Sequence, residues 1–135
     1  MAVEYDTSFV CGGTYEDGVI YVDPNGNAID LTGWKATLTA IAPCGGGTVF
    51  TLSTETDPPT IATLGSTGAI NWTVAQATTW GIQTGGLLAA GQTCVVLTYQ
   101  LNIYNPSLNT IDPLGTATPL AYGSMTAFRG RIAPP

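Results

Sequence analysis

The clearest hydrophobic pattern in the chain lies over residues 93–104. Val95, Leu97, Tyr99, Leu101 and Ile103 alternate with Val96, Thr98, Gln100 and Asn102, the period of two expected of a strand with one buried face. Its length suits a central strand. Asn105-Pro106 ends it, because the residue before a proline is held extended and the proline has no N–H to add to a ladder. The same period predicts a strand over 34–41, with Trp34, Ala36, Leu38 and Ala40 opposite Lys35, Thr37 and Thr39. A third is expected over 68–74, carried by Ile70, Trp72 and Val74. Shorter strands are expected at 49–52 and 61–64, and one at 19–22 runs into the turn signal Asp23-Pro-Asn-Gly-Asn27. Residues 120–128 alternate again, with Leu120, Tyr122, Ser124, Thr126 and Phe128 sharing a face, and 9–11 predicts an edge strand. Only 74–80 has a helical pattern, and it is long enough for one turn.

Seven to eight short strands, spaced about ten residues apart with Gly, Pro and Asn between them, predict an all-β domain. The expected architecture is an antiparallel, Ig-like β-sandwich spanning residues 1–135 as a single domain. Its termini, about 1–8 and 129–135, are expected to extend from it.

Composition sharpens the surface more than the fold. Charged residues make up 9% of the chain, against roughly a quarter in an average soluble domain. Hydrophobic residues are near average at 44%, so Thr, Gly, Asn and Ser stand where charges usually do. Charge keeps lone proteins apart, and a surface nearly without Lys or Arg resists association poorly. Such a surface suits a subunit whose faces neighbours cover. The chain is acidic, with a net charge of −6, and its basic residues are Lys35, Arg129 and Arg131; nucleic-acid binding needs a basic patch and is excluded on that ground. No apolar run is long enough to span a membrane, and the first residues carry neither a basic nor an apolar leader pattern. Cys11, Cys44 and Cys94 are odd in number and widely spaced, which leads to the expectation of three buried thiols in a chain made in the cytoplasm. One disulfide with a third free thiol is the other arrangement the count allows.

Candidate chemistry is sparse. The chain has no His, which removes the usual general base near neutral pH and every Ser-His or Cys-His arrangement. The nine acids are scattered through expected turns and termini, with Glu16-Asp17 the adjacent pair, so glycosidase chemistry has no spacing to rest on. No C-x-x-C pair or phosphate-binding glycine motif is present. The expectation is therefore no catalytic residue, no cofactor and no metal. The weak metal candidates are Asp23, Asn25, Asn27 and Asp30, oxygen donors at alternate positions as in calcium loops. Ala28 and Trp34 occupy the places where such a loop needs Gly and a bidentate Glu, and a hairpin turn accounts for the segment without an ion. Trp34 and Trp72 fall in phase with the apolar faces of their strands and are expected in the core. Trp80, with Tyr104 and Tyr122, is the candidate set for an exposed glycan-stacking surface.

Three segments carry a family resemblance: Asp30-Leu-Thr-Gly-Trp34 leading into its strand, Gly68-Ala-Ile-Asn-Trp-Thr-Val74 with the stretch to Trp80, and Tyr99-Gln-Leu101 followed later by Tyr122-Gly-Ser-Met-Thr126. Together, over residues 9–128, they resemble small β-sandwich structural domains of bacteriophage virions found in baseplate, tail-fibre-attachment and accessory or capsid decoration (cement) proteins. The chain departs from that pattern at Gln100, where the family often has an acid, and after the Leu-Thr-Gly turn, where alternating Thr replaces Arg. The resemblance implies a non-enzymatic docking subunit, present in many copies as a homo-oligomer among other virion proteins, located in the virion and made in the host cytoplasm. Arg129, Arg131, Pro134 and Pro135 are the expected partner-binding residues, since a stiff proline end keeps the arginines extended toward acidic surfaces. The rival expectation is a carbohydrate-binding module for adsorption to a host surface.

Overall fold

The alternating strand at the centre of that reading is the spine of the larger of two sheets. The computed structural model describes residues 3–23, 25–43, 46–56, 58–88, 91–105 and 121–130. In chain order the elements are β1 (Val3–Glu4), β2 (Thr7–Val10), β3 (Tyr15–Ile20), β4 (Lys35–Ile41), β5 (Thr48–Ser53), β6 (Ala69–Val74), α1 (Gln76–Thr84), β7 (Cys94–Tyr104) and β8 (Ala121–Phe128). The larger sheet has the order β1-β8-β7-β4-β5, with β2 also on β8. β1 and β2 run against β8 in one unbroken register, Val3 facing Ala121 and Thr7 facing Met125. They are two pieces of a single edge strand that dips out of the ladder at Tyr5 and Asp6. The eight segments thus occupy seven strand positions, five in the larger sheet and two in the β3-β6 sheet.

Alternation decides which face is buried. β7 points Val95, Leu97, Tyr99, Leu101 and Ile103 inward, all nearly inaccessible to solvent, and β4 adds Ala36, Leu38 and Ala40. The β3-β6 sheet answers with Tyr15, Ile70, Trp72 and Val74. The two sheets meet where Trp72 packs tilted on Tyr99 at 6.3 Å between ring centroids, and where Phe9 stacks on Tyr15 at 4.8 Å. Burying such rings stabilises by about 1.5–3 kcal/mol each, with a further contribution from ring geometry. Trp34, expected in the core, is buried at the entrance to β4, and Trp72 is buried in β6.

Several expectations need correction. The larger sheet is mixed, because the N-terminal edge strand pairs with β8 in parallel. A parallel neighbour needs a long crossover, here almost the whole chain, so no local signal announces it. Val3, Glu4, Thr7 and Ser8 therefore lie in the sheet, where residues 1–8 had been expected to extend from it. The helical turn expected at 74–80 is a nine-residue helix. It lacks a side-chain cap and is held by tertiary bonds: Gln83 takes the Gly130 N–H at 2.8 Å and gives its amide to the Gly130 carbonyl at 3.2 Å. The buried Thr79 hydroxyl accepts the Gly12 N–H at 3.1 Å and lies 2.8 Å from the Gly13 carbonyl. The strand expected at 61–64 reduces to one bridge from Ile61 to Trp72, with Ile61 and Leu64 both buried. β3 begins four residues before the expected 19–22 strand. Cys11 is a buried free thiol and Cys94 a half-buried one; Cys44 lies outside the described residues.

Candidate functional site: the outer face of the larger sheet

With one face of the larger sheet turned to the core, the other is left to solvent, and register sorts its side chains into cross-strand rows. One row runs Ser8, Thr126, Val96; the next Ser124, Thr98, Ile41; the next Glu4, Tyr122, Gln100, Thr39, Thr51. Asn102, Thr37 and Ser53 follow. Among the described strand residues facing outward, charge stands only at the margins. Lys35 pairs with Glu55 at 2.9 Å at one end, and Glu4 lies on the N-terminal edge strand. At the opposite corner Val10, Val96 and Phe128 are 55%, 47% and 43% exposed. The rest is hydroxyl and amide.

An open depression of about 620 Å³ interrupts this face beside the edge strand. Its floor is backbone at Tyr99 and Gly123, and its walls include Glu4, Asp6, Tyr122 and Gln100. The floor has a local cause. Opposite Tyr99 the sheet carries Gly123, and a Cβ there would lie 2.3 Å from the Tyr5 carbonyl oxygen. The dip of the edge strand brings that carbonyl over the glycine, where the Tyr99 hydroxyl donates to it. Asp6 makes good the lost ladder bond by accepting the Ser124 N–H at 2.9 Å.

Beneath the dip, Asp17 on β3 ties the edge strand to the second sheet. Its carboxylate accepts the Thr7 hydroxyl at 2.6 Å, the Tyr15 hydroxyl at 3.1 Å, the Tyr5 hydroxyl at 2.9 and 3.0 Å, and the Gly18 N–H at 2.8 Å. Desolvation is the largest single influence on this carboxyl and acts upward. The hydrogen bonds from Thr7, Gly18, Tyr5 and Tyr15 together outweigh it and hold Asp17 below the usual carboxylate range. The bond to Asp17 raises Tyr5, and burial pushes the Tyr15 hydroxyl up to about 12. The indole N–H of Trp72, buried and without a well-formed hydrogen bond among the described residues, lies toward that hydroxyl.

The expected site residues fall in different places. Of the glycan candidates, Tyr122 stands in the depression and is 42% exposed. Tyr104 is half-buried opposite Lys35, four residues from Gln100 along β7, or about 13 Å. Trp80 is half-buried on α1, at the end of the sandwich where β7 begins. The three form no shared platform. Asp23 turns one carboxylate oxygen to the N–H groups of Asn25 and Asn27, both at 2.9 Å, and Asp30 caps Thr32 through its N–H and hydroxyl. Each acid thus closes its own turn, and among the described residues no three His, Cys, Asp or Glu gather as a metal set. The Arg129 Nε–H donates to the Gln92 carbonyl at 2.8 Å, and its backbone N–H to Thr93. Arg131, Pro134 and Pro135 lie outside the described residues.

Nothing in the local pattern singles out Glu4 or Asp6 as site residues, and Asp17 stands out only as half of the adjacent pair Glu16-Asp17. What the pattern does hold is a strand: Tyr5, Thr7 and Phe9 alternate with Glu4, Asp6 and Ser8. No family model matches the chain, and no curated protein resembles it in sequence.

Proposed function

We propose that the chain is a non-enzymatic docking subunit of a larger assembly, a structural protein of a bacteriophage virion placed on its tail, baseplate or capsid surface. The observation that carries the reading is the outer face of the larger sheet: broad, nearly uncharged, rich in hydroxyls, and ending in the exposed Val10, Val96 and Phe128 corner. A face of this kind costs little to desolvate, because neutral hydroxyls lose far less than ions on burial. It also lacks the charges that discourage association. The virion itself is implied by the resemblance of the three segments described above.

Strand order supports an immunoglobulin-like form for the sandwich. In chain order β4, β5, β7 and β8 stand where the C, C′, F and G strands of a variable-type domain stand, and β3 with β6 where B and E pair. Trp34 is buried at the head of the C-like strand. A second reading, glycan binding in host adsorption, draws on Tyr122 in its depression beside Gln100.

The test is location. Mass spectrometry of purified particles, with heads and tails separated, should find the chain at many copies in one fraction. Its absence from both removes the virion reading. Glycan-array binding that is lost in Tyr122→Ala, with no incorporation into particles, favours the second.

A further inference from the structure

Residues 3–11 are tied to their seat only through the rest of the chain. They pair with β8, the last strand, and the Cys11 N–H carries that pairing on to the Phe128 carbonyl at 2.9 Å. Their one local link is residues 12–14, which lead into β3. Lifting the segment away breaks no hairpin, because β8 keeps β7 and β3 keeps β6. Little apolar surface holds it, since from Glu4 to Cys11 only Phe9 and Cys11 are buried. An edge element of this kind opens at far lower cost than the fold as a whole. We infer that copies of the chain exchange this strand, each seating residues 3–11 of a second copy on its own β8. The inference rests on the assembly reading and names the partner and the contact.

Three observations lead there. First, the seat is cut to this sequence. Gly123 leaves room for the Tyr5 carbonyl, to which the Tyr99 hydroxyl donates, and a Cβ there would lie 2.3 Å from that oxygen. Asp6 accepts the Ser124 N–H at 2.9 Å, and the Tyr5 and Thr7 hydroxyls reach Asp17. A foreign strand can meet the β8 backbone but lacks these side chains in this order. A second copy has all of them. Exchange therefore keeps every contact of residues 3–10 and adds whatever the two bodies share, a low-cost route to association.

Second, the link can straighten. Gly12 has a φ of 94° and Gly13 follows it. The reversal is closed by a bond of 3.3 Å from the Gly13 N–H to the Val10 carbonyl, and the Thr79 hydroxyl pins both glycines. Two glycines pass from such a turn to extended backbone without a side-chain clash. Three extended residues span about 10 Å, enough to carry the strand onto a molecule packed against its own. Short hinges of this kind invite exchange.

Third, bare apolar surface lies where the second copy arrives. Val10 stands just before the link, Phe128 faces it in register, and Val96 lies in the next row. All three are exposed. In an exchanged pair the body that donates the strand is held within three residues of this corner, so that body covers it.

Disulfide trapping in the full chain, with Cys94→Ser to remove the half-buried thiol, tests the exchange. Ser8 and Thr126 face each other in register, at a separation a disulfide closes. Mild oxidation of Ser8→Cys chains mixed with Thr126→Cys chains should give a covalent heterodimer that neither chain gives alone. Both substitutions in one chain, oxidised at high dilution, lock the strand on its own body. The locked chain should lose self-association in sedimentation, and reduction should restore it. No heterodimer from the mixture, or a locked chain that associates as tightly as its reduced form, overturns the exchange. Association that survives the lock leaves the assembly reading intact. A wild type that stays monomeric at every concentration overturns the exchange too, and the particle fractions then judge the assembly reading separately.

Discussion

Replacing Asp17 should separate the two sheets energetically more than any other single acid in the chain. Its carboxylate gathers three hydroxyls and one N–H, two of the hydroxyls from the edge strand and one from its own strand. Hydrogen bonds to a charged group contribute about 1.5–3 kcal/mol each when well buried. Here the group is half-buried, and Thr7 and Tyr5 can turn to water, so Asp17→Ala should cost about 2–3 kcal/mol in total. Asp17→Asn keeps the shape and one acceptor and should cost about 1 kcal/mol. The pH dependence has a fixed sign. Because the folded carboxyl lies below its ordinary value, its contribution is present above the unfolded pKa and is lost as pH falls through the folded one. Asp30, also lowered by the Thr32 hydroxyl and N–H, adds an acid-side loss of its own, so the informative quantity is the difference between wild type and Asp17→Asn. Urea unfolding from neutral pH down to the acid limb should show that difference shrinking as Asp17 protonates. An Asp17→Ala chain within about 0.5 kcal/mol of wild type, or a difference that does not change with pH, refutes the account of the knot.

Three further outcomes follow from particular contacts. Gly123→Ala puts a Cβ against the Tyr5 carbonyl and should cost about 2–3 kcal/mol, read by chemical denaturation. Thr79→Val, nearly isosteric and fully buried, strands the Gly12 N–H and should cost about 1–3 kcal/mol with little change in helix signal. Calcium at about 1 mM should leave the melting temperature where it was, because Asp23 and Asp30 already close their own turns; a clear upward shift contradicts that geometry.

How much of this was legible depended on whether the cause was local. β7 announced itself because each inward residue is apolar and each outward one from Thr98 to Asn102 is polar. β4 and β6 did so for the same reason. β3 hid its first half because its inward positions include Asp17, an acid that a pattern of apolar alternation rejects and that only Tyr5, Thr7 and Tyr15 make tolerable inside. The helix was longer than its sequence predicts because Gln83 and Thr79 are anchored to Gly130 and to the Gly12–Gly13 turn, contacts some fifty to seventy residues away. The parallel edge strand was the least visible element. Its alternation was present, but its partner β8 lies at the other end of the chain, and with it went the depression that Glu4 and Asp6 help to build. Tyr122, one of the three aromatic candidates, is exposed. Its neighbours were beyond reach because they depend on register.

Hydroxyl-radical footprinting, read residue by residue in the free chain and in the assembled particle, tests the covered face most directly. Tyr122, Val96 and Phe128 should be oxidised in the free chain and strongly protected on assembly, while Ile20 and Val22, exposed on the β3 side of the molecule, stay reactive. Unchanged oxidation of the first set, with protection moved to Ile20 and Val22, contradicts the assignment of the larger sheet's outer face as the docking surface.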